Sequence, residues 1–282
     1  LLSYRHAFHA GNFADVVKHT VLTLLLCALR EKDKPFCYVD THGGAGRYDL
    51  KGAVAQKNRE FAGGIELLWR RDDVPSAMAA YVNAVAALNG GGGSALRHYP
   101  GSPRLARHFL RNVDRMVLCE LHPSEFPALK AEFAGDSQVG VHYQDGYEGL
   151  RAHLPPHERR GLVLIDPAYE RKDEASRVVD GLAVGYQRWA TGMFAIWYPI
   201  QSGPLRNQLI AGVTRTGIRR VLLVELCIEA REIPQRLNGT GLFIVNPPWK
   251  LADQLASLLP WLHSVLSLGG RGDWRVEWLV PE

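Results

Sequence analysis

Gly161-Leu162-Val163-Leu164-Ile165-Asp166-Pro167-Ala168-Tyr169 is the stretch from which both fold and chemistry can be read. Five small or apolar residues, with branched Val163 and Ile165, describe a buried strand, and Pro167 stops the ladder just past its end. The strand delivers a carboxylate, a proline carbonyl and an aromatic ring to one place. In an open α/β sheet, ligands bind outside the carboxyl ends of the strands. Such a set can grip a planar base that carries an amino group: the ring stacks on its face and the two acceptors take its N–H bonds. Asp166, Pro167 and Tyr169 are the candidate catalytic residues.

Working upstream, Pro35-Phe36-Cys37-Tyr38-Val39 reads as the first strand and runs into Asp40-Thr41-His42-Gly43-Gly44-Ala45-Gly46. Clustered glycines behind an acid make a tight turn that lets a cofactor approach the backbone. The spacing is not G-x-G-x-x-G. It is similar to the acid-x-G-x-G-x-G loop of S-adenosylmethionine (SAM) enzymes, with His42 in the first glycine place. A ribose-holding acid is then expected about 20 residues on, at the end of the second strand. The next strand, Arg115–Cys119, instead ends far later, in Glu120. The excess reads as helices on Phe61, Ile65, Leu68 and Trp69, then on Met78, Tyr81, Val82, Val85 and Leu88. It closes on Asn89 and the run Gly90–Gly93, a helix stop and flexible link. We read an α/β, Rossmann-like domain over residues 1–46 and 99–282, with a helical insertion over 47–98 after the first strand.

Asn12 is placed to cap a helix in which Phe13, Val16, Val17, Thr20, Val21, Leu24, Leu25, Ala28 and Leu29 keep an i, i+3, i+4 rhythm. Lys18 and His19 fall off that stripe, which periodicity alone assigns to a solvated face. Pro100-Gly101-Ser102-Pro103 opens another helix, with Ser102 as N-cap and Pro103 first. Arg104, Arg107, His108, Arg111 and Arg115 then share a basic face, either solvated or tracking phosphates. The third strand, Val139–Tyr143, ends in Gln144-Asp145-Gly146-Tyr147, where Asp145 can accept from a purine amino group. Helices around 174–187 and 204–212 and strands Met193–Trp197, Val221–Leu226, Leu242–Val245 and Trp274–Val280 complete the domain. Asn246-Pro247-Pro248-Trp249 also looks like an amino-group clamp, but chain order puts the clamp after the fourth strand and leaves Asn246 at the far edge of the sheet.

A length of 282 residues, 46% hydrophobic and 22% charged, fits one large soluble domain or one with an insertion. The net charge of +4 and a pI near 8.9 permit a polyanionic partner without demanding one. Cys27, Cys37, Cys119 and Cys227 form no CxxC pair, so buried free thiols and a reducing compartment are expected. No HExxH or Cys/His ligand spacing occurs, so no metal is expected. With no cleavable signal pattern and no apolar run of about 18 residues, the reading is cytoplasmic, with no membrane partner. Leu1 stands where an initiator Met is expected.

Several blocks stand in order along the whole chain, none of them an internal repeat: Leu2-Ser3-Tyr4-Arg5-His6-Ala7-Phe8-His9-Ala10-Gly11-Asn12 with Asp15, Lys18 and His19; Asp40 to Tyr48; Tyr99 to Pro103; Glu120-Leu121-His122-Pro123; Trp197-Tyr198-Pro199; and Asn246 to Lys250. Together they resemble the bacterial 23S ribosomal RNA adenine-N6 methyltransferase family that acts on protein-free rRNA. The resemblance implies a monomeric, SAM-dependent methyltransferase with 23S rRNA as its partner. It implies SAM against His19, His42, Ser102, Glu120, Asp145, Gly146 and Asp166, with Asp166 as catalytic acid/base. It sets Tyr4 at the mouth of the site near the RNA, with His6 and Lys18 as helpers, and so moves Lys18 and His19 from solvent to site. One position departs: the family pattern is Asp-Pro-Pro-Tyr, whereas this chain has Ala168. That frees the backbone and relaxes the constraint on Pro167, so weakened rather than lost activity is expected. Two alternatives stay open: adenine-N6 transfer to DNA or transfer to a protein amide, and a non-catalytic SAM/RNA-binding relative.

Overall fold

The structure, a computed structural model, describes residues 4–91 and 94–282. Leu1, Leu2 and Ser3 at the N-terminal end, and Gly92 and Gly93 of the glycine link, lie outside the described residues. Ten strands are present among them: β1 (Cys37–Asp40), β2 (Arg47–Asp49), β3 (His98–Pro100), β4 (Arg115–Glu120), β5 (Val139–Tyr143), β6 (Gly161–Ile165), β7 (Met193–Ile200), β8 (Val221–Cys227), β9 (Gly239–Val245) and β10 (Trp274–Val280). The helices are α1 (Phe13–Arg30), α2 (Ala53–Asn58), α3 (Ile65–Leu68), α4 (Ser76–Leu88), α5 (Ser102–Phe109), α6 (Glu125–Glu132), α7 (Gly146–His153), α8 (Glu174–Arg188), α9 (Leu205–Arg215) and α10 (Leu251–Leu266).

Eight strands form one sheet in the order β10-β8-β9-β7-β6-β1-β4-β5. From β5 to β7 all neighbours are parallel, β9 runs antiparallel between β7 and β8, and β10 is antiparallel to β8. The order leaves β1 in both directions, through β4 to β5 and through β6 to β7. The crevice between β1 and β6 is therefore the switch point at which such sheets bind ligands. Alternation along β6 builds both layers: Leu162 and Leu164 face the core shared with α1, α5 and α10, while Val163 and Ile165 face the core shared with α7, α8 and α9.

The Asn12 cap is present, its Oδ1 accepting from the Asp15 N–H at 3.0 Å. The helix it starts is not amphipathic towards water, however. Fifteen of the 18 residues of α1 are buried, Lys18 and His19 among them, because the insertion, α5 and α10 pack against the helix as well as the sheet. The segment 47–98 is also not purely helical. It is closed by an antiparallel pair, with Arg47 opposite Pro100 and Asp49 opposite His98, and Phe61, Ile65, Met78 and Tyr81 join the core layer of α1.

Three expectations are corrected here. Ser102 is not an N-cap: Gly101 caps α5, and the Ser102 hydroxyl donates instead to Asp40 Oδ2 at 2.8 Å. The basic face is neutralised, since Arg104 meets Glu132 at 3.3 Å, Arg107 meets Asp136 at 2.5 Å, Arg111 meets Asp114 at 2.9 Å and Arg115 meets Glu158 at 2.9 Å. Asn246 is remote for a different reason than expected: β9 is interior, but its reversed direction carries Asn246 to the opposite end of the strands. There the Asn246 amide donates to the Ala190 and Gly192 carbonyls, at 2.8 Å each.

Candidate active site

A cavity of about 540 Å³ opens at the carboxyl ends of the parallel strands and is bordered by residues of the 4–12 segment. Every candidate named from the sequence lines it. Tyr4, His6, Lys18 and His19 come from the N-terminal segment and α1; His42, Glu120, Asp145 and Gly146 from the β1, β4 and β5 ends; Ser102 from the start of α5; Asp166, Pro167 and Tyr169 from the β6 end.

One half is built on the glycine turn after β1. Gly44, with φ +57, donates its N–H to Glu120 Oε2 at 2.7 Å, and His122 donates its own to Oε1 at 2.6 Å. Burial pushes the Glu120 carboxyl above its usual range despite those bonds. A Cβ on Gly146 would lie 2.2 Å from the Thr41 carbonyl oxygen, so only glycine lets α7 start this close to the β1 turn. Asp145 is largely committed: it caps α7 through the Tyr147 N–H at 2.9 Å and meets Arg177 at 2.7 Å. Asp40 accepts from Tyr38 at 2.7 Å as well as from Ser102, yet burial still lifts it to about 6. Burial also draws His42 down to about 4 and His19 down to about 3, so both rings are neutral near pH 7. His19 Nδ1 lies 2.8 Å from the Tyr99 hydroxyl, while its Nε2 is buried and has no partner among the described residues. Such an atom is costly unless a ligand meets it.

The other half surrounds Asp166. Lys18 is only 4% exposed, and its Nζ lies 2.6 Å from Asp166 Oδ2 and 2.9 Å from Asp15 Oδ1. Burial alone would lower its pKa, but the two carboxylates outweigh that and raise it, so Lys18 is a cation. Tyr169 sits at φ +54, a left-handed conformation rare for a bulky residue and a mark of local strain. It is held there by donation from its hydroxyl to the Trp197 carbonyl at 2.7 Å, and its ring meets Trp197 edge-on at 6.0 Å. Above, Tyr4 stacks on His9 at 5.3 Å with its hydroxyl 2.9 Å from His6 Nδ1, and His9 reaches Glu60 of the insertion at 2.8 Å.

Sequence reasoning assigned no role to Asp15, Glu60, Arg177 or Trp197. Asp15 had a legible signal, an acid three residues before Lys18 on a helix. Trp197 had a weaker one, a ring in the strand following β6. Glu60 and Arg177 reach the site only through tertiary packing. Among the described residues no group of three or more His, Cys, Asp or Glu is arranged to hold a metal ion, and no helix is long and apolar enough to cross a membrane.

A sheet parallel in all but β9 and β10, a glycine turn after β1 and an acid closing β4 define a Rossmann-like, class I SAM-dependent methyltransferase fold. The family model described as "Ribosomal RNA large subunit methyltransferase D, RlmJ" matches residues 33–280, and the chain belongs to that family. Two relatives, each named "Ribosomal RNA large subunit methyltransferase J", match over 282 residues and 100% of both chains. That of Escherichia coli (strain K12) is 48% identical and that of Haemophilus influenzae 45%. The crystal structure of a Legionella pneumophila protein is similar at TM-score 0.87 and 36% identity, covering 96% of this chain and 98% of that one.

Proposed function

We propose that this chain transfers a methyl group from SAM to the exocyclic N6 of an adenine in 23S rRNA, acting in the cytoplasm as a monomer on the protein-free RNA. On this reading 47–98 is an insertion subdomain of a Rossmann-like domain over 1–46 and 99–282. The carrying observation is that the Asp166–Tyr169 clamp and the Gly44–Glu120 turn face one cavity.

The residues present fit SAM. Each Glu120 oxygen accepts one backbone N–H and keeps a lone pair for a ribose hydroxyl, and His19 Nε2 is a buried atom awaiting a partner. His42, Ser102, Asp145, Gly146 and Asp166 complete the set, with Ser102 acting through Asp40. When bound, SAM supplies a methyl electrophile whose leaving group is a neutral thioether.

An adenine amino lone pair is delocalised into the ring, which makes N6 a poor nucleophile. Hydrogen bonds from N6–H to the Asp166 carboxylate and the Pro167 carbonyl favour a tetrahedral nitrogen, so positioning and electrostatics carry most of the rate. Lys18 occupies Asp166 Oδ2 and leaves Oδ1 for the amine; Asp166 then takes the proton once the nitrogen is cationic. Tyr169, fixed by Trp197, stacks the base, which is extruded from its helix at a cost of a few kcal/mol. Tyr4, His6 and Lys18 border the side on which RNA enters, and recognition rests on RNA shape and phosphates.

The test is transfer of label from SAM to a naked 23S rRNA transcript, to intact large subunits and to DNA of the same sequence, with mass mapping of the product. Label confined to one adenine of naked RNA and abolished by Asp166→Asn is expected. Equal labelling of DNA, or SAM binding with no transfer to any substrate, would overturn the proposal.

A further inference from the structure

We infer that Asp15 is a positioning residue that divides the charge of Lys18 and so keeps the Asp166 carboxylate a competent acceptor, while its second oxygen seats the N-terminal segment over the cavity. This rests on the methyl-transfer reading above. Asp15 is 2% exposed, one turn into α1. Its Oδ2 lies 2.8 Å from His6 Nε2 and accepts the Gly11 N–H at 2.9 Å; its Oδ1 lies 2.9 Å from Lys18 Nζ. One carboxylate thereby serves two structures, the segment that carries Tyr4 and the cation that touches Asp166.

The electrostatic consequence follows from the order Asp15, Lys18, Asp166. An ammonium between two carboxylates attracts each in full, but the negative charge of one carboxylate offsets part of the ammonium's field at the other. With Asp15 neutral that offset is lost, and the unopposed cation at 2.6 Å makes the Asp166 carboxylate a poorer hydrogen-bond acceptor for the amine. The other charged or titratable groups that act on these carboxylates are His6, His9, His19, Tyr4, Tyr48, Tyr81 and Tyr99 on Asp15, and His42, Asp40, Tyr4, Tyr38 and Tyr169 around Asp166. None of them faces Lys18 as closely as Asp15 does. At Asp15 the charge is functional and the volume is incidental.

That claim is tested by two variants of opposite character. Asp15→Asn keeps the shape and removes the charge; Asp15→Glu keeps the charge and strains the packing. In single-turnover transfer to a 23S rRNA transcript, Asp15→Asn should lose at least about tenfold in rate. SAM affinity should stay within about threefold, and Asp15→Glu should retain more activity than Asp15→Asn. In the SAM-free protein, amide hydrogen exchange across residues 4–12 should quicken in Asp15→Asn and less so in Asp15→Glu, because the bonds from Asp15 to His6 and Gly11 hold that segment. Asn outperforming Glu in transfer, or exchange in the 4–12 segment unchanged by Asp15→Asn, would overturn the proposal. If Asp15→Asn does not fold, an Asp15→Glu protein less active than Asp15→Ser would do the same. Wild-type protein that labels no rRNA would refute the methyl-transfer reading instead, and the exchange arm would still decide whether Asp15 seats the 4–12 segment.

Discussion

Ala168, where the family pattern has proline, gives the most direct test of how the amine clamp is held. Ala168 is exposed between buried Pro167 and the strained Tyr169. It has no positive φ, and among the described residues its N–H donates to no acceptor, so a ring at 168 forfeits no hydrogen bond there. Proline there would restrict its own φ and press Pro167 towards extended backbone. Replacing a residue by proline at a compatible position removes about 0.4–1 kcal/mol of backbone freedom. If all of it fixes the Pro167 carbonyl in the transition state, the rate rises about 2- to 5-fold. A larger gain is not available. The two flanking groups are already tied, Asp166 to Lys18 at 2.6 Å and Tyr169 to the Trp197 carbonyl at 2.7 Å. The assay is single-turnover methyl transfer with enzyme in excess over a 23S rRNA transcript and saturating SAM. Ala168→Pro should be faster than wild type, Ala168→Gly slower by a similar factor, and SAM affinity the same in all three. An Ala168→Pro protein that is no faster, with the glycine variant no slower, would refute the idea that backbone freedom at 168 limits the clamp.

Three further outcomes follow from the geometry. Gly146→Ala drives a Cβ to 2.2 Å from the Thr41 carbonyl and 2.7 Å from Thr41 Cβ. It should cost about 1–3 kcal/mol in stability and at least about tenfold in SAM affinity, read by melting and calorimetry. Glu225 is wholly buried against Tyr198 at 2.6 Å, Arg206 at 2.6 Å and Arg231 at 2.8 Å. Burial opposes its ionisation, but those donors outweigh it and hold the carboxyl below its ordinary 4.5. Glu225→Gln should therefore destabilise by about 3 kcal/mol at pH 7 in chemical denaturation. That difference should narrow as pH falls below the ordinary value and through the folded one. His19, drawn by burial from 6.5 to about 3, binds its proton more readily unfolded than folded between those values. SAM-free wild type should thus lose about 1.4 kcal/mol per pH unit relative to His19→Gln on acidification below 6.5, and a constant difference would contradict a buried neutral ring.

Strand ends were the legible part of this sequence. β5, β6 and β10 fall where apolar runs are bounded by turn residues, and Glu120, Asp145 and Asp166 were found because each closes such a run. Short or interrupted elements were not legible. β2 and β3 are three residues each and find one another across the whole insertion, and Pro260 inside α10 hid a 16-residue helix. The basic face misled because its neutralising acids, Glu132, Asp136 and Glu158, are contributed by other elements, which no reading of α5 alone can supply.

The instructive failure is α1. Periodicity reports which side chains dislike water and says nothing of what lies opposite the remainder; with the insertion packed on one side and the sheet on the other, there was no solvent left for Asp15, Lys18 and His19 to face. Burying two charges and an imidazole in an apolar helix is unfavourable unless each meets a partner. Lys18 meets Asp15 and Asp166, and Asp15 also meets His6, while His19 lines the cavity with one buried nitrogen unpartnered among the described residues. Ionisable residues at i, i+3 and i+4 within a helix otherwise apolar all round therefore carry their own signal. When the apolar residues outnumber what one face can hold, the polar ones point at a site rather than at water.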